Sequence, residues 1–280
     1  MDYFKALLLA VALVSCLTFS HSAPQSNKQG NKEKQAKQGG SGKLHTLPLP
    51  SYIGKGCNPN LPQNEFNKCV VKKGQPAIEK ISAGDPQYRV PKLDPFTIPS
   101  LIIDQGTKQV GMKMACTNCQ LRGLKYTKFV AARADLKKRH VEWDFKLDKV
   151  LFTGQYKVSG QVLLLPLFGS GFANISLTGV KFTFVYDFDV VKKENGREYV
   201  ELKEGSKLTF GAESMKIRLE NLFNGDKLLG ENMNTFLNEN WKDLLNEVGP
   251  AIGDALSTIF RSTLASVATL VPYDTMFPLD

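Results

Sequence analysis

The chain has 280 residues, 42% of them apolar, and carries 36 Lys+Arg against 27 Asp+Glu, a net charge of +9. This composition excludes wholesale disorder, and the length permits a sizeable core in one or two domains. The positive charge invites a nucleic-acid reading, but residues 24–48 alone hold five lysines against one glutamate, four of the nine net charges. Those lysines alternate with Gln, Gly, Ser and Asn, not with rings on which bases stack, and no groove-reading or RNA-binding motif occurs, so no nucleic-acid partner is expected.

In chain order, Lys5 precedes an apolar run at residues 6–14, and the small residues Ser20 and Ser22 follow. This is the pattern of an export signal cleaved after Ser22, which makes residues 1–22 a predicted signal peptide. No later stretch offers the roughly 18 apolar residues a membrane span requires. The expectation is a secreted, extracellular protein with no stable membrane insertion. Residues 23–48 form a lysine-rich tail, read as a solvated flexible leader or, alternatively, as a tether to an acidic surface. One domain, residues 49–280, follows.

Loss of Cys16 with the signal leaves Cys57, Cys69, Cys116 and Cys119. An even number in an oxidising compartment points to two bridges, with three pairings open. A bridge from Cys57 to Cys69 closes a short loop and is worth roughly 3 kcal/mol on the chain-entropy account. Cys116 and Cys119 form a C-x-x-C pair without the second pair a zinc site needs and without a thioredoxin-like setting. They read as a local structural bridge or as two buried thiols.

Between residues 61 and 84, Phe66, Val70, Ala77, Ile78 and Ile81 predict a short helical region, broken by Pro76 and ended by Gly84. Pro91, Pro95 and Pro99 then mark an extended segment. Period-two alternation follows: Val141, Trp143, Phe145 and Leu147; then Tyr156, Val158, Val162 and Leu164; then Val180, Phe182, Phe184, Tyr186 and Phe188. Asn195-Gly196 predicts a hairpin turn with positive φ at both residues, leading to a strand at 199–202. Leu208 with Phe210, and Met215 with Ile217 and Leu219, give two more strands. The sum is a large, mainly antiparallel sheet whose apolar face needs a cover.

The cover is C-terminal. Helical spacing of apolar residues holds over positions 226–270, about 45 residues or roughly 65 Å at the α-helical rise. Asn224-Gly225-Asp226 supplies the cap, and Gly249-Pro250 is expected to kink the helix near its middle. On its polar face Lys227, Lys242 and Arg261 stand against Asp226, Glu231, Glu239, Asp243, Glu247 and Asp254. A net acidic stripe favours burial of the apolar face over adsorption to an anionic membrane.

Beyond the tail His140 is the one histidine, so any Ser-His-Asp or Cys-His site would have to use it. Ser170 sits in F-G-S-G-F, out of register with a G-x-S-x-G elbow, and no histidine pair has metal-ligand spacing. Asp187 and Asp189 alternate with aromatic residues, as on the solvent face of a strand. No enzyme activity, metal or cofactor is expected. Asn174-Ile175-Ser176 is the one glycosylation sequon.

Residues 221–241, NLFNGDKLLGENMNTFLNENW, the closing VPYDTMFP, the segment LLLPLFGSGFANISL at 163–177, Cys57 with Cys69, and VPKLDPFTIP together resemble the insect takeout and juvenile-hormone-binding protein family. The resemblance covers about residues 50–280. It implies an α+β fold in which a long curved antiparallel sheet wraps a long C-terminal helix around a hydrophobic tunnel. It also implies a secreted insect protein of the kind associated with hormone transport, circadian output and feeding, binding a small lipophilic ligand such as a terpenoid or fatty acid. LLLPLFGSGFANISL corresponds to the family's glycine-containing strand connection. The long tail and the C-x-x-C depart from the family pattern.

The residues predicted to line the ligand site are Tyr156, Val158, Val162, Phe182, Phe184 and Tyr186 on the strands, with Met233, Phe236, Trp241, Leu244, Val248 and Ile252 on the helix. Tyr156, Tyr186 and Trp241 are candidates to hydrogen-bond a ligand's polar end. The expected form is a monomer. The alternative is an extracellular module that binds a receptor or lipid surface and transports nothing.

Overall fold

A computed structural model describes residues 46–106 and 111–279; the predicted signal peptide and the tail up to residue 45 lie outside that range. Residues 46–48, placed in the tail by the sequence reading, pack on the body: the Leu47 N–H donates to the Leu270 carbonyl at 2.8 Å, and the Leu47 side chain is buried. The elements are α1 (Gln63–Ser82), β1 (Phe96–Gly106), β2 (Gly111–Arg122), β3 (Lys128–Asp135), β4 (His140–Val162), β5 (Leu165–Lys192), β6 (Glu198–Leu202), β7 (Lys207–Gly211), β8 (Ser214–Leu219), α2 (Lys227–Glu239), α3 (Trp241–Ala268) and a short α4 (Tyr273–Met276).

Two long strands form the spine. β4 and β5 pair antiparallel over their full length, from His140 opposite Asp187 to Val162 opposite Leu165. Shorter strands are set end to end along both flanks. β3 and then β2 pair with β4 on one side, with β1 outside β2; β6, β7 and β8 pair with successive stretches of β5 on the other. Such a sheet curls under the right-handed twist of its strands, and the C-terminal helices fill the resulting trough. The architecture is α+β, as expected.

Several local expectations change. The runs around Val141 and Tyr156 belong to one strand, and the hairpin falls at Leu163 (φ 47°) and Leu164 (φ 70°). A two-residue link from Val162 to Leu165 requires positive φ at both positions, so Leu164, assigned to the strand, stands in the turn and is 68% exposed. Gly169 and Gly171 lie within β5, so LLLPLFGSGFANISL holds its connection in the leucines and not in the glycines. At the next hairpin only Gly196 (φ 78°) is left-handed; Asn195 instead uses its side-chain oxygen to accept from the Arg197 N–H at 3.1 Å.

Pro76 does not break α1. It sits on the exposed side, as does Lys72, whose carbonyl loses its helical donor and can reach water instead. α3 runs on through Pro250, which lies on its exposed side, and the long helical run is interrupted at Asn240 (φ −106°, ψ 23°). The Asn240 backbone N–H and its side-chain amide both donate to the Phe236 carbonyl, at 3.0 and 2.8 Å, which ends α2. The Asp226 carboxylate caps α2 by accepting from the Leu229 N–H at 3.0 Å, as the sequence indicates.

Free strand edges are sealed by side-chain amides. Asn234 and Asn238, one turn apart on α2, meet alternate residues of β8. The Leu219 N–H donates to Asn234 Oδ1 at 2.8 Å while Asn234 Nδ2 donates back to the Leu219 carbonyl at 2.9 Å, and Asn238 repeats this with Ile217 at 2.9 and 2.8 Å. On the opposite flank α1 does the same for β3. Gln75 accepts from the Phe129 N–H at 2.6 Å and donates to the Thr127 carbonyl, Asn67 accepts from the Ala134 N–H, and Gln63 donates to the Ala134 carbonyl. Asn234 and Asn238 each meet both backbone groups of one edge residue, Gln75 bridges two residues, and Asn67 and Gln63 share Ala134, so together the amides stand in for a missing strand. At β7 the helix itself comes close: Gly253 of α3 lies so near that a Cβ there would collide with the Leu208 carbonyl, and Ser257 Oγ lies 2.9 Å from Ser206 Oγ.

The disulfides resolve into local pairs, Cys57–Cys69 and Cys116–Cys119, with Cα separations of 6.0 and 6.1 Å. The first anchors the segment ahead of α1 to that helix. The second spans a bulge in β2, where the register shifts between Thr117 and Gln120 opposite Gly154. Both sulfurs are buried, and a Cβ at Gly154 would lie 2.7 Å from Cys116 Sγ.

The outer face carries a lattice of ion pairs. Arg133 binds Glu142 at 2.8 Å and Asp144 at 2.6 Å; His140 contacts Asp187 at 2.8 Å and Glu142 at 3.2 Å; Asp189 receives Arg139 and Lys203. Arg133 holds the Glu142 and Asp144 carboxyls below their usual range, Lys203 does so for Asp189, and Asp187 with Glu142 raises His140. A lowered carboxylate contributes stability above its unfolded pKa and loses it as pH falls through the folded one. A raised histidine contributes below its unfolded pKa and loses it as pH rises through the folded one. Thermal midpoints should therefore peak at mildly acidic pH, and His140→Gln should flatten the decline between about pH 6 and 8. Each pair is exposed, so solvent screening keeps its contribution small. An unchanged slope in the variant would contradict the assignment.

Candidate functional site: the apolar interior

The concave face is built by parity. On β4 the inward residues include Val141, Trp143, Phe145, Leu147, Tyr156, Val158 and Val162, while Glu142, Asp144 and Lys146 of the same strand point out. The inward rings of β5 meet α3 directly: Phe182 and Phe184 each lie 5.5 Å from Phe260 between centroids, and Phe145 stacks on Phe182 at 4.8 Å. The helix stripe therefore faces the trough, as its spacing predicted.

All twelve predicted lining residues face this interior, in two adjoining clusters. Tyr156, Val158, Val162, Met233 and Val248 are buried in one, with Phe236, Trp241, Leu244 and Ile252 packed against it. Phe182 and Phe184 are buried in the other, with Tyr186 against it. The partly accessible helix residues are apolar and pack against the sheet's buried cluster.

The three candidates for a polar contact fare differently. The Tyr156 hydroxyl is already committed, donating to the Glu220 carbonyl at 2.6 Å; burial, with Glu220 nearby, pushes its pKa up to about 12. It serves the fold by tying β4 to the loop after β8. Trp241 sits at the start of α3 with Lys242 Nζ 5.7 Å from its ring. Tyr186 lies deep, where burial alone raises its pKa, and is partly accessible.

Sequence reasoning passed over Trp143. It belongs to a strand run that was recognised, but an indole N–H on an otherwise apolar face is itself a signal, since that donor needs a partner. Trp143 Nε1 is buried and has none among the described residues. His140, the residue on which any catalytic reading depended, lies on the outer face between Asp187 and Glu142. Asn174 is exposed on the outer face of β5, opposite Thr153 and Arg218. Among the described residues no helix is long and apolar enough to cross a membrane, and no cluster of His, Cys, Asp and Glu is placed to hold a metal ion.

Two grooves open on the surface. One, of about 460 Å³, is floored by the outer faces of β3, β4, β5 and β7 and bordered by Lys146 and Lys181; the other, of about 680 Å³, lies between β8 and α2 and includes Asn174 and Arg218. Both are polar at their rims, unlike the interior.

Comparison with known proteins agrees with this architecture. Residues 38–278 match the sequence profile of the haemolymph juvenile hormone binding protein family. The circadian clock-controlled protein daywake of Drosophila yakuba is 26% identical over 217 residues, covering 75% of this chain and 83% of its own, and the Drosophila melanogaster protein of the same name is 25% identical over 219 residues with the same coverage. The crystal structure of Epiphyas postvittana Takeout 1 superposes with a TM-score of 0.72 at 28% identity, covering 80% of this chain and 99% of that one. With profile, relatives and the curled sheet around its helix in agreement, the chain belongs to the haemolymph juvenile hormone binding protein (takeout) family.

Proposed function

We propose that this protein is a secreted carrier that holds one elongated lipophilic small molecule between the concave face of the sheet and α3. The observation that carries this reading is the interior itself: a trough lined end to end with apolar side chains, many of which keep accessible surface although they face inward. Burying about 400 Å² of ligand apolar surface at ~25 cal/mol per Å² is worth about 10 kcal/mol before the costs of orientation and ordering. Terpenoids and long-chain acyl compounds have the shape for it. A role in circadian output belongs to the same proposal and is supported by the clock-controlled relatives.

The test is to express the full chain in insect secretory cells, purify it from the medium, extract it with organic solvent and weigh what is released. A lipophilic compound near one per protein is the expected result; a protein that is repeatedly empty and binds no apolar fluorescent probe would end the carrier reading. Because secretion exposes the Asn174 sequon to glycosylation, the same preparation should lose mass on treatment with a peptide-N-glycosidase.

A second reading, a module that docks on an extracellular receptor or lipid surface, is favoured by one observation. Leu164 and Leu228 are 68% and 72% exposed at the same end of the molecule as Phe168, whose ring meets Phe223 at 4.9 Å. Exposed clusters of this kind mark contact surfaces. An empty protein that still binds cells or vesicles through these residues would favour it.

A further inference from the structure

Two turns meet at one end of the molecule. β4 passes into β5 through Leu163 and Leu164, and β8 passes into α2 through residues 220–226. The Phe168 ring meets Phe223 at 4.9 Å, the Asn221 side-chain amide donates to the Ser170 carbonyl at 2.8 Å, and Gly169 bridges to Leu222, so the two turns hold together as one tip. Leu163 and Phe223 root the tip in the cluster that contains Val162, Leu222 and Met233. Leu164, Leu165, Phe168, Leu228 and Leu229 stand outside that cluster, between 38 and 72% exposed. Backbone conformation singles out the same end. Among the described residues, the apolar side chains carried on a left-handed backbone are Leu163 (φ 47°), Leu164 (φ 70°) and Phe223 (φ 51°). Glycine or asparagine would sit there with less strain, and a bulky side chain persists on such a backbone where it has a use. Leu163 and Phe223 have theirs in the core. Leu164 packs on nothing and projects into solvent.

We propose that this tip docks reversibly on a phospholipid membrane, with Leu164 and Leu228 entering the boundary between headgroups and acyl chains and Leu165, Phe168 and Leu229 seated behind them. This rests on the docking reading rather than the carrier reading, and names its partner. Area decides between lipid and protein. The five side chains present roughly 500 Å² of apolar surface, the size of a functional patch yet well below the ~800 Å² per partner that a stable protein complex buries. A lipid surface requires no matching shape, and its hold grows with each apolar side chain that enters it. Charge decides which lipid. Around the patch the exposed Lys113, Lys157 and Lys227 stand against Glu220 and Asp226, so the charges nearly cancel and attraction to an anionic surface is slight. The tip therefore engages the acyl layer, and zwitterionic lipid is sufficient. The lysine-rich residues 23–48 have no part in this contact: residue 46 joins the body beside Tyr199, and Leu47 beside Leu270, in a different cluster from the one that roots the tip.

The experiment expresses the full chain in insect secretory cells and sediments the purified protein with phosphatidylcholine vesicles, alone or mixed with phosphatidylserine, at about 0.1 and 0.5 M salt. Wild type is compared with Leu164→Gln, Leu228→Gln and Leu279→Gln, the last removing a leucine that is 70% exposed near the C-terminus. Each tip substitution should weaken binding to phosphatidylcholine about tenfold, while Leu279→Gln and the higher salt each change it by less than about twofold. Thermal midpoints should match wild type throughout, since these leucines are exposed. In Leu164→Trp, tryptophan emission should shift to the blue on adding vesicles, by more than in wild type. Tip variants that bind vesicles as wild type does, with no added shift in Leu164→Trp, would overturn the proposal. Binding that requires phosphatidylserine and vanishes at the higher salt would overturn it too, and would assign the contact to basic residues. Leu164-dependent binding to cells without binding to vesicles would replace the membrane with a protein receptor. The carrier reading stands or falls separately: a protein extracted empty that still docks through the tip ends that reading and leaves this one, and a loaded protein that ignores vesicles does the reverse.

Discussion

Asn234→Ala is expected to lower the stability of the folded protein by about 3–5 kcal/mol, far more than an ordinary helix substitution. The side chain is buried and makes three bonds: it accepts from the Leu219 N–H, donates to the Leu219 carbonyl, and donates to the Gly230 carbonyl at 3.0 Å. Alanine is the better helix former by less than about 1 kcal/mol. Against that small gain, both backbone groups of Leu219 are left without partners in a place water does not reach, at about 1–3 kcal/mol each. Asn238→Ala should cost less because its site is only partly buried. Denaturant unfolding measures both; a loss under 1 kcal/mol for Asn234→Ala would show that β8 can satisfy its edge some other way.

Gly253→Ala should destabilise by about 2–3 kcal/mol and also weaken probe binding. The reasoning turns on sign. Glycine in a helix interior is normally worse than alanine by about 1 kcal/mol, so the exchange ought to help. At Gly253 the added methyl meets the Leu208 carbonyl, and the helix must retreat from β7, which changes the width of the trough. Gly249, one turn earlier, supplies the control: its nearest neighbour to an added Cβ is Leu245 Cδ1 at 3.9 Å, an ordinary contact. Gly249→Ala should therefore be neutral or mildly stabilising. If both variants gained stability, the close helix–sheet approach at Leu208 would be refuted.

Much of the fold was readable because alternation and helical spacing report which face is apolar, and both depend only on side-chain type. The inward set from Tyr156 to Tyr186 and the stripe from Met233 to Ile252 follow from that alone. Turns with unusual residues were not readable. Leu163 and Leu164 adopt a conformation that glycine or asparagine would have advertised, so Leu164 read as strand and the connection was placed in the glycine-containing segment. Pro76 and Pro250 looked like breaks because proline's missing donor is visible in sequence, whereas the solvent exposure that tolerates it is not. Asn240 looked like an ordinary polar residue because a side chain's choice to bond its own helix depends on geometry. Within the candidate site, Tyr156 and Tyr186 were indistinguishable by type; only the Glu220 carbonyl, brought close by the loop after β8, separates the committed hydroxyl from the free one.

The seams that close this half-barrel are made of amides. Asn234, Asn238, Gln75, Asn67 and Gln63 carry no charge near neutral pH, and their bonds do not weaken as salt screens charge. The ion pairs around Arg133 and His140 lie on the outer face, and Arg218–Glu231 crosses the β8–α2 seam beside the amides. Acidification or a change of ionic strength thus acts on the lattice of Arg133 and His140 and on the Arg218–Glu231 pair, and leaves the amide bonds of the seams alone. A sheet sealed to its helices by amides keeps those seams unchanged between fluids that differ in acidity or salt.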